Sequence, residues 1–227
     1  MDILSYLLGK KSSGGGGGSV SDYFITKIYD NETGVASGLI KKLPILDYDE
    51  MTLSATAISD LPNLEEIDGI INTDGLEDTS MMFENNTSLK TVPLFNTSNV
   101  WYMNDMFNGC SSLISVPQFN TQTCTVMDNM FYNCKSLTTI PLFDTTNVES
   151  MSAFIDGTHK GSIHNYTEVL TDTSLDNILQ MCINAVNYSG TKTLVAIGFH
   201  QEAYSSARIQ ALPHYADFIS AGWTIGY

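Results

Sequence analysis

Apolar positions recur every 24 residues through the middle of the chain. The segment 89–97, Leu-Lys-Thr-Val-Pro-Leu-Phe-Asn-Thr, returns at 113–121, with Gln118 in place of the second leucine, and again at 137–145. The next half of each unit repeats as well, at Val100, Met103, Met106 and Phe107, at Cys124, Met127, Met130 and Phe131, and at Val148, Met151 and Phe154, the last one residue early. Upstream, a degenerate first copy with a one-residue insertion contains Leu64, Ile67, Thr73 and Leu76. A fixed period of this length indicates repeats that stack on one another.

The two halves of each unit predict different elements. The pattern Leu-x-x-Val/Ile-x-Leu predicts a short strand with apolar side chains inward, Leu94 and Leu142 among them, and the proline before each of these leucines should end the strand early. Asn or Asp followed by Thr then supplies capping side chains, and apolar residues at i, i+3, i+6 and i+7 predict one or two helical turns facing the core. A strand and a short helix in each unit are typical of a leucine-rich repeat. We therefore predict the α/β fold class, with a leucine-rich-repeat solenoid of about 3.5 coils over residues 58–157.

Three further segments flank the repeats. Residues 1–19 comprise a short amphipathic peptide and a glycine-rich linker, which spans about 15 Å as a random coil. Residues 20–57 are predicted to form a strand-rich N-terminal cap, and residues 158–227 an α/β C-terminal cap, because the open ends of a solenoid need covering. Within the C-terminal cap the sequence predicts a helix from 173 to 186, a strand over 193–199, a helix over 207–212, and an ending rich in the aromatic residues Tyr215, Phe218, Trp223 and Tyr227.

The second half of the repeat carries a specific motif, Asn/Asp-Thr-Ser/Thr-Asn-Val-x-x-Met-x-x-Met-Phe-x-x-Cys-x-Ser-Leu. Its best copies run over 96–113 and 120–137, although Cys124 replaces the usual valine and Gln-Thr at 122–123 replaces Ser-Asn. This motif resembles the BspA-type leucine-rich-repeat family of bacterial surface proteins, over roughly 100 residues of the chain. The resemblance implies an extracellular or surface-displayed binding protein, and similar repeats occur on structural proteins of phages and prophages.

The charge of the chain argues against anionic partners. Ten Lys and Arg face 25 Asp and Glu, which gives a formal net charge of −15 at pH 7. Such a surface repels phosphate backbones and anionic lipid, so we expect no nucleic-acid partner. No stretch approaches the ~20 apolar residues of a membrane span, and the first residues lack the basic start and the cleavage site of a secretory signal. The absence of an export signal or a lipid-attachment cysteine departs from surface-anchored members of the BspA type and favours a virion component.

Catalytic chemistry has little support in the sequence. The four histidines, His159, His164, His200 and His214, lie outside the repeats, and the motifs Gly-x-Ser-x-Gly, the phosphate loop and Gly-x-Gly-x-x-Gly do not occur. Zinc needs three or four converging ligands, and the pair His159 and His164 with the distant Cys182 does not supply them at a recognised spacing. We therefore predict a non-enzymatic protein that needs neither a metal nor a cofactor.

Two kinds of sulfur side chain follow the repeat register. Cys110 and Cys134 occupy the same position in adjacent coils, but a disulfide needs Cα atoms about 4.4–6.8 Å apart. We favour buried free thiols, because Cys packs as a small hydrophobe. The repeat methionines fit core filling better than a metal or redox role, because they have the spacing of an inward face. They are Met81, Met82, Met103, Met106, Met127, Met130 and Met151.

Two features are candidates for a binding surface. The first is the outward face of the predicted strands, whose hydroxyl groups suit a glycan or a protein edge, although Thr is also simply a good strand residue. It comprises Lys90, Thr91, Ile114, Ser115, Thr138 and Thr139. The second is the pair Trp101 and Tyr102, which the repeat does not need, and exposed aromatic residues often carry binding energy. Packing of this pair against an adjoining segment is the alternative.

The N-terminal peptide is a candidate anchor. Ile3, Leu4, Leu7 and Leu8 lie on one face of a predicted helix, and five glycines separate them from the rest of the chain. An apolar peptide on a slack linker suggests a plug that docks into a carrier protein of a virion, with a disordered chain start as the alternative. The sequence thus predicts an adhesion module, in a phage fibre or virion decoration protein that contacts a protein or glycan on a host surface. The alternatives are a structural scaffold of a virion and a bacterial cell-surface protein.

Overall fold

The computed structural model describes residues 42–43, 46–47, 58–67, 71–73, 75–160, 167–199 and 204–226. Its strands are short: β1 Lys42–Leu43, β2 Leu46–Asp47, β3 Glu66–Ile67, β4 Ile71–Asn72, β5 His159–Lys160 and β6 Thr167–Glu168. β1 pairs with β3 and β2 pairs with β4 in parallel, whereas β5 and β6 are antiparallel. In this part of the chain the helices are α1 Asp172–Asn184, α2 Ser206–Gln210 and α3 Tyr215–Ser220. None of the described helices is long and apolar enough to cross a membrane.

The predicted N-terminal segments fall largely outside these residues. The candidate anchor and its linker, residues 1–19, lie outside the described part of the chain, and with them the anchor side chains Ile3, Leu4, Leu7 and Leu8. Of the predicted cap over residues 20–57, the structure describes β1 and β2 alone. Both strands pair in parallel with strands that belong to the first, degenerate repeat, so this segment joins the repeats by backbone hydrogen bonds.

The coils of the repeat region are held together by backbone hydrogen bonds between positions 24 residues apart. The N–H of Ile114 donates to the carbonyl of Lys90 at 2.9 Å, and the N–H of Thr138 donates to the carbonyl of Ile114 at 2.9 Å. Neighbouring positions pair as isolated parallel bridges, such as Ser115 with Thr139. These bonds confirm the 24-residue register predicted from the sequence, while the assignment to the leucine-rich-repeat class stays a prediction.

The second half of each coil is built of turns, so the predicted helical turns are wrong. The N–H groups of Phe107 and Gly109 donate to carbonyls of the next coil, at 3.0 and 2.8 Å. Those of Asn108 and Cys110 donate to carbonyls three residues back in their own coil, both at 3.0 Å. Backbone φ is positive at two positions four residues apart in each coil, with 57° at Asp105 and 77° at Gly109. An α-helix needs negative φ throughout and bonds to the fourth residue back, so successive turns, and not a helix, produce the apolar spacing here.

Two leucines that the strand pattern places inward point outward instead. Leu94 is 62% exposed and Leu142 is 42% exposed, whereas Val92 and Phe95 are buried. The segment buries every third residue rather than every second, because Pro93 has no N–H with which to continue a ladder and an alternating strand stops there. Phe95 therefore takes the core position that the sequence pattern assigned to Leu94.

Two columns of phenylalanine fill the centre of the stack. In the first, the ring of Phe107 lies 5.2 Å from that of Phe83 and 5.6 Å from that of Phe131, nearly parallel to both. The second column consists of Phe95, Phe119 and Phe143. Six of the repeat methionines are buried beside them as predicted, namely Met82, Met103, Met106, Met127, Met130 and Met151. Met81 contradicts the prediction, because it takes a φ of 59° and its side chain is exposed.

The C-terminal region contains the predicted first helix but not the predicted strand. α1 begins at Asp172, where the side chain of Thr171 accepts the N–H of Ser174, and it ends before Val186, which is exposed. Residues 193–199 form turns, and within them Thr193 makes an isolated bridge with Thr224. The helix predicted over 207–212 is α2, and the aromatic-rich ending contains α3. The ring of Trp223 is buried against Tyr188 and Phe218, with centroid distances of 5.1 and 5.9 Å.

The C-terminal region completes the hydrogen bonds of the last coil. The carbonyl of Thr138 accepts the N–H of Thr171 at 3.0 Å, and the carbonyl of Glu149 accepts the N–H of Ser189 at 2.9 Å. On the turn side of the coil, the N–H groups of Ala153 and Ile155 donate to the carbonyls of residues 196 and 197 at 2.9 and 3.1 Å. These residues therefore occupy the place that the next coil occupies elsewhere in the stack.

Candidate binding surface

Trp101 and Tyr102 stand on a backbone column that runs through four coils. The N–H of Trp101 donates to the carbonyl of Glu77 at 2.7 Å, and its own carbonyl accepts the N–H of Thr125 at 2.9 Å. Tyr102 forms isolated parallel bridges with Asp78 on one side and Val126 on the other. Both neighbouring coils therefore hold the backbone of the aromatic pair in place.

The side chains of this pair do not serve the core. Trp101 is 48% exposed and Tyr102 is 47% exposed, although the residues on either side of them, Val100 and Met103, are fully buried. The coils that follow have Thr-Val at 125–126 and Glu-Ser at 149–150 in the same place and stack equally well. About half of each residue is nevertheless covered, so packing of the pair against an adjoining segment stays the alternative.

The surroundings of the aromatic pair are acidic. Glu77 stands beside Trp101, and Asp78 stands beside Tyr102, in the preceding coil; both acidic residues are exposed. Glu149, two coils along the same column, is exposed as well. This column contains no lysine or arginine at its positions 77–78, 101–102, 125–126 and 149–150.

The other predicted surface lies on a separate column, eleven residues earlier in each coil. There Lys90 forms an ion pair with Glu65 at 3.0 Å, and the hydroxyl of Thr138 donates to the carbonyl of Ile114 at 3.2 Å. Thr91 and Thr139 are exposed, Ser115 is half-buried, and the bridge between Ser115 and Thr139 links two coils. Some side chains of this face thus bond to the neighbouring coil. The face lies on a different column from Trp101 and Tyr102.

One exposed apolar feature was missed in the sequence. Leu94 and Leu142 occupy the same outward position in their coils, and Gln118 lies between them with its side-chain amide donating to the carbonyl of Leu142 at 2.7 Å. The signal that could have revealed it is Gln118 itself. A polar residue in one of three copies indicates that the position is not part of the core.

The cysteines are buried and free, as predicted for Cys110 and Cys134. Each of these two thiols donates to a carbonyl of the preceding coil, that of Cys110 to Phe83 at 3.0 Å and that of Cys134 to Phe107 at 3.1 Å. Burial raises the pKa of Cys110 and Cys124 to about 12, and it raises the pKa of Cys134 and Cys182 well above the usual value. A reactive cysteine needs a lowered pKa, so these thiols are structural.

The histidines do not assemble a site in the described part of the chain. His164 and His200 lie outside the described residues, as does the side chain of His159. His214 lies with its Nδ1 2.7 Å from a carboxylate oxygen of Asp176, and its backbone N–H donates to the other oxygen at 2.9 Å, which ties the start of α3 to α1. Among the described residues no group of three or more His, Cys, Asp or Glu side chains is arranged to hold a metal ion.

Comparison with known families finds a family model that covers the repeat region. A family model described as "Mycoplasma protein of unknown function, DUF285" matches residues 52–166, which is 115 of the 227 residues. No curated protein and no solved structure matches the chain.

Proposed function

Because the chain belongs to the family of Mycoplasma proteins of unknown function, DUF285, whose description names no activity, we propose a function from the geometry: the chain is a non-enzymatic binding module that attaches to a partner through the surface around Trp101 and Tyr102. The observation that carries the proposal is the exposure of two adjacent aromatic side chains on a backbone fixed by two coils. Rigid aromatic anchors bind at low entropic cost, because little conformational freedom remains to be lost.

The architecture supports this role. We assign the coils to leucine-rich repeats of the BspA type, on the basis of the 24-residue period and of the hydrogen bonds between equivalent positions. Stacked repeats of this kind present extended surfaces, and side chains that the stack does not need are free to vary for binding. Trp101 and Tyr102 are such side chains, because Thr-Val and Glu-Ser replace them in the next two coils.

We propose adhesion to a protein or glycan of a host surface as the biological role, with a virion or a bacterial cell surface as the setting. In the virion setting, Ile3, Leu4, Leu7 and Leu8 would dock into a carrier protein, and the glycine-rich linker would let the repeats swing outward. A structural scaffold is the second candidate, favoured by the backbone bonds that run from the first repeat to the C-terminal region. In a scaffold, the aromatic pair would be covered by another copy or by a neighbouring protein of the assembly.

The test replaces Trp101 and Tyr102 together by Ser. We expect the melting temperature to stay nearly unchanged, because both rings are about half exposed, while binding to glycan arrays, host cells or particles is lost. The matched control replaces Leu94 and Leu142 by Ser, which removes two exposed apolar side chains from other positions of the coils and should leave binding intact.

Two outcomes would contradict the proposal. A large fall in the melting temperature of the Trp101 and Tyr102 variant would assign the rings to packing and remove the site. Unchanged binding in that variant, with loss of binding in the Leu94 and Leu142 control, would move the contact to the two leucines.

A further inference from the structure

We infer that the surface around Trp101 and Tyr102 is built for a cationic partner, namely a segment of protein rich in arginine or lysine. The inference rests on the proposed function and names the class of partner for the same surface. It follows from the pairing of each aromatic ring with its own acidic neighbour and from the charge balance of the two exposed faces of the stack.

Each ring of the pair has a carboxylate one coil away. Glu77 is hydrogen-bonded through its backbone to Trp101, and Asp78 is bridged to Tyr102. Backbones paired in this way run about 4.8 Å apart, and in-register parallel neighbours project side by side, so a carboxylate lies within reach of a group that sits on either ring. A ring face attracts a cation through its quadrupole and the carboxylate attracts it through its charge, so both act on the same guanidinium or ammonium group.

The acidic residues of this surface are not neutralised by described cations. The ion pairs in the described part of the chain join Lys90 to Glu65, Arg208 to Asp172 and His214 to Asp176, and none of them engages Glu77 or Asp78. Asp78 accepts the N–H of Ser80 at 2.8 Å through one oxygen, which orients the carboxylate. By contrast, the Lys90 column carries its own balancing charge and offers no comparable attraction.

The other partner classes fit less well. A phosphate-bearing or anionic partner would meet Glu77, Asp78 and Glu149 together with a net charge of −15 on the chain. A neutral glycan could stack on the two rings and donate its hydroxyl groups to the carboxylates, but it carries no charge to balance theirs. Arginine uses both features, because its planar guanidinium stacks on aromatic faces and forks onto carboxylates.

The experiment measures binding of a fluorescently labelled short oligoarginine peptide to the full chain by anisotropy, with a neutral oligoglutamine peptide as the reference. We expect saturable binding of oligoarginine alone. Glu77→Gln with Asp78→Asn should weaken this binding by about tenfold, and so should an increase in ionic strength from about 0.01 to about 1 M. Both substitutions keep side-chain size and an oxygen acceptor for the N–H of Ser80, so the melting temperature should not change.

The matched control is Asp144→Asn with Asp217→Asn, which removes the same number of charges from two other exposed sites and should bind oligoarginine like the unaltered chain. An equal loss in this control would show general attraction to an acidic protein and would overturn the inference. Failure of oligoarginine to bind at all would overturn it as well.

Failure of the inference can be told apart from failure of the proposed function. If the Trp101 and Tyr102 serine variant loses attachment to its surface while Glu77→Gln with Asp78→Asn keeps it at every ionic strength, the binding surface stands and its partner is neutral. If the serine variant keeps attachment, the proposed surface itself is wrong.

Discussion

At the centre of the stack, the carbonyl of Met130 accepts the N–H of Phe107; at its end, the carbonyl of Ile197 accepts the N–H of Ile155. The first bond joins two copies of one repeat, and the second joins a repeat to a region with no repeat at all. The same substitution of one partner for another occurs at the strand side of the coil. There the N–H of Thr171 donates to the carbonyl of Thr138, just as the N–H of Thr138 donates to the carbonyl of Ile114. The C-terminal region thus reproduces the bonding of a further coil with unrelated residues.

The comparison separates two ways of specifying a stack. Between coils, equal residues at equal positions place each N–H opposite a carbonyl, so a change in one coil alters its contacts with two neighbours. At the end of the stack, the backbone positions depend on α1 and on turns whose sequence has no period. We therefore expect core substitutions in the coils to follow the repeat register, and substitutions at the junction to depend on individual close contacts.

The largest expected effect tests the register of the coils. Leu113 is fully buried, and its replacement by Ala should lower the free energy of unfolding by about 2–5 kcal/mol, as for other buried leucines. The adjacent Ile114 is exposed, so Ile114→Ala should change it by less than about 0.5 kcal/mol. Urea denaturation of both variants measures the difference, and equal effects would show that the coil has been assigned the wrong phase.

The second prediction concerns the junction between the two regions. Gly198 has a φ of 98°, and a Cβ there would lie 2.3 Å from the backbone nitrogen of Asp156 in the last coil. Gly222 also has a positive φ, of 86°, but nothing lies within 4 Å of the corresponding point. Ala is strained at either position because φ is positive. At Gly198 alone, the collision with the last coil destabilises the folded state by about 1–3 kcal/mol more. We expect Gly198→Ala to unfold at a lower urea concentration than Gly222→Ala. Equal urea midpoints would show that residues 196–198 do not pack against the last coil.

The sequence predicted the register because the period is a direct consequence of bonding between coils. It did not predict the turns, because apolar residues at i, i+3 and i+4 occur both in a helix and in successive turns. One signal was present: the left-handed positions Asn85, Gly109, Asn133 and Gly157 carry only Asn and Gly, the residues that tolerate positive φ best. The other left-handed column contains Met81 and Ala153, which give no such signal.

The candidate surface was predictable from a different kind of signal. Trp101 and Tyr102 could be identified because they break the repeat, and the structure places both at the surface. Their acidic neighbours could not be identified, because Glu77 and Asp78 lie in the degenerate first coil, where the one-residue insertion obscures which residues pair with which. The prediction of a strand at 193–199 was wrong for a related reason. A run of apolar residues outside a repeat does not distinguish a strand from buried turns.

The effect that is smallest at neutral pH tests whether the thiols of the two regions are equally inaccessible to solvent. Burial raises the pKa of Cys110 in the stack to about 12 and raises the pKa of Cys182 in α1 above its usual value. Each folded-state thiol therefore stays protonated where the unfolded-state thiol, with a pKa near 9, already ionises. The stabilisation is fully present below pH 9 and is lost as the pH rises towards the folded-state pKa, at up to about 1.4 kcal/mol per pH unit for each thiol.

Cys110→Ala and Cys182→Ala should each flatten the dependence of unfolding free energy on pH between about pH 9 and pH 11 relative to the unaltered chain. Subtracting each variant's urea-unfolding free energy from that of the unaltered chain at every pH cancels the titration of lysines and tyrosines. Ser111→Ala, next to Cys110, is the control and should leave the slope unchanged. A flattening with Cys182→Ala alone would mean that the thiol of Cys110 reaches solvent. The hydrogen bond from its sulfur to the carbonyl of Phe83 would then not persist in solution.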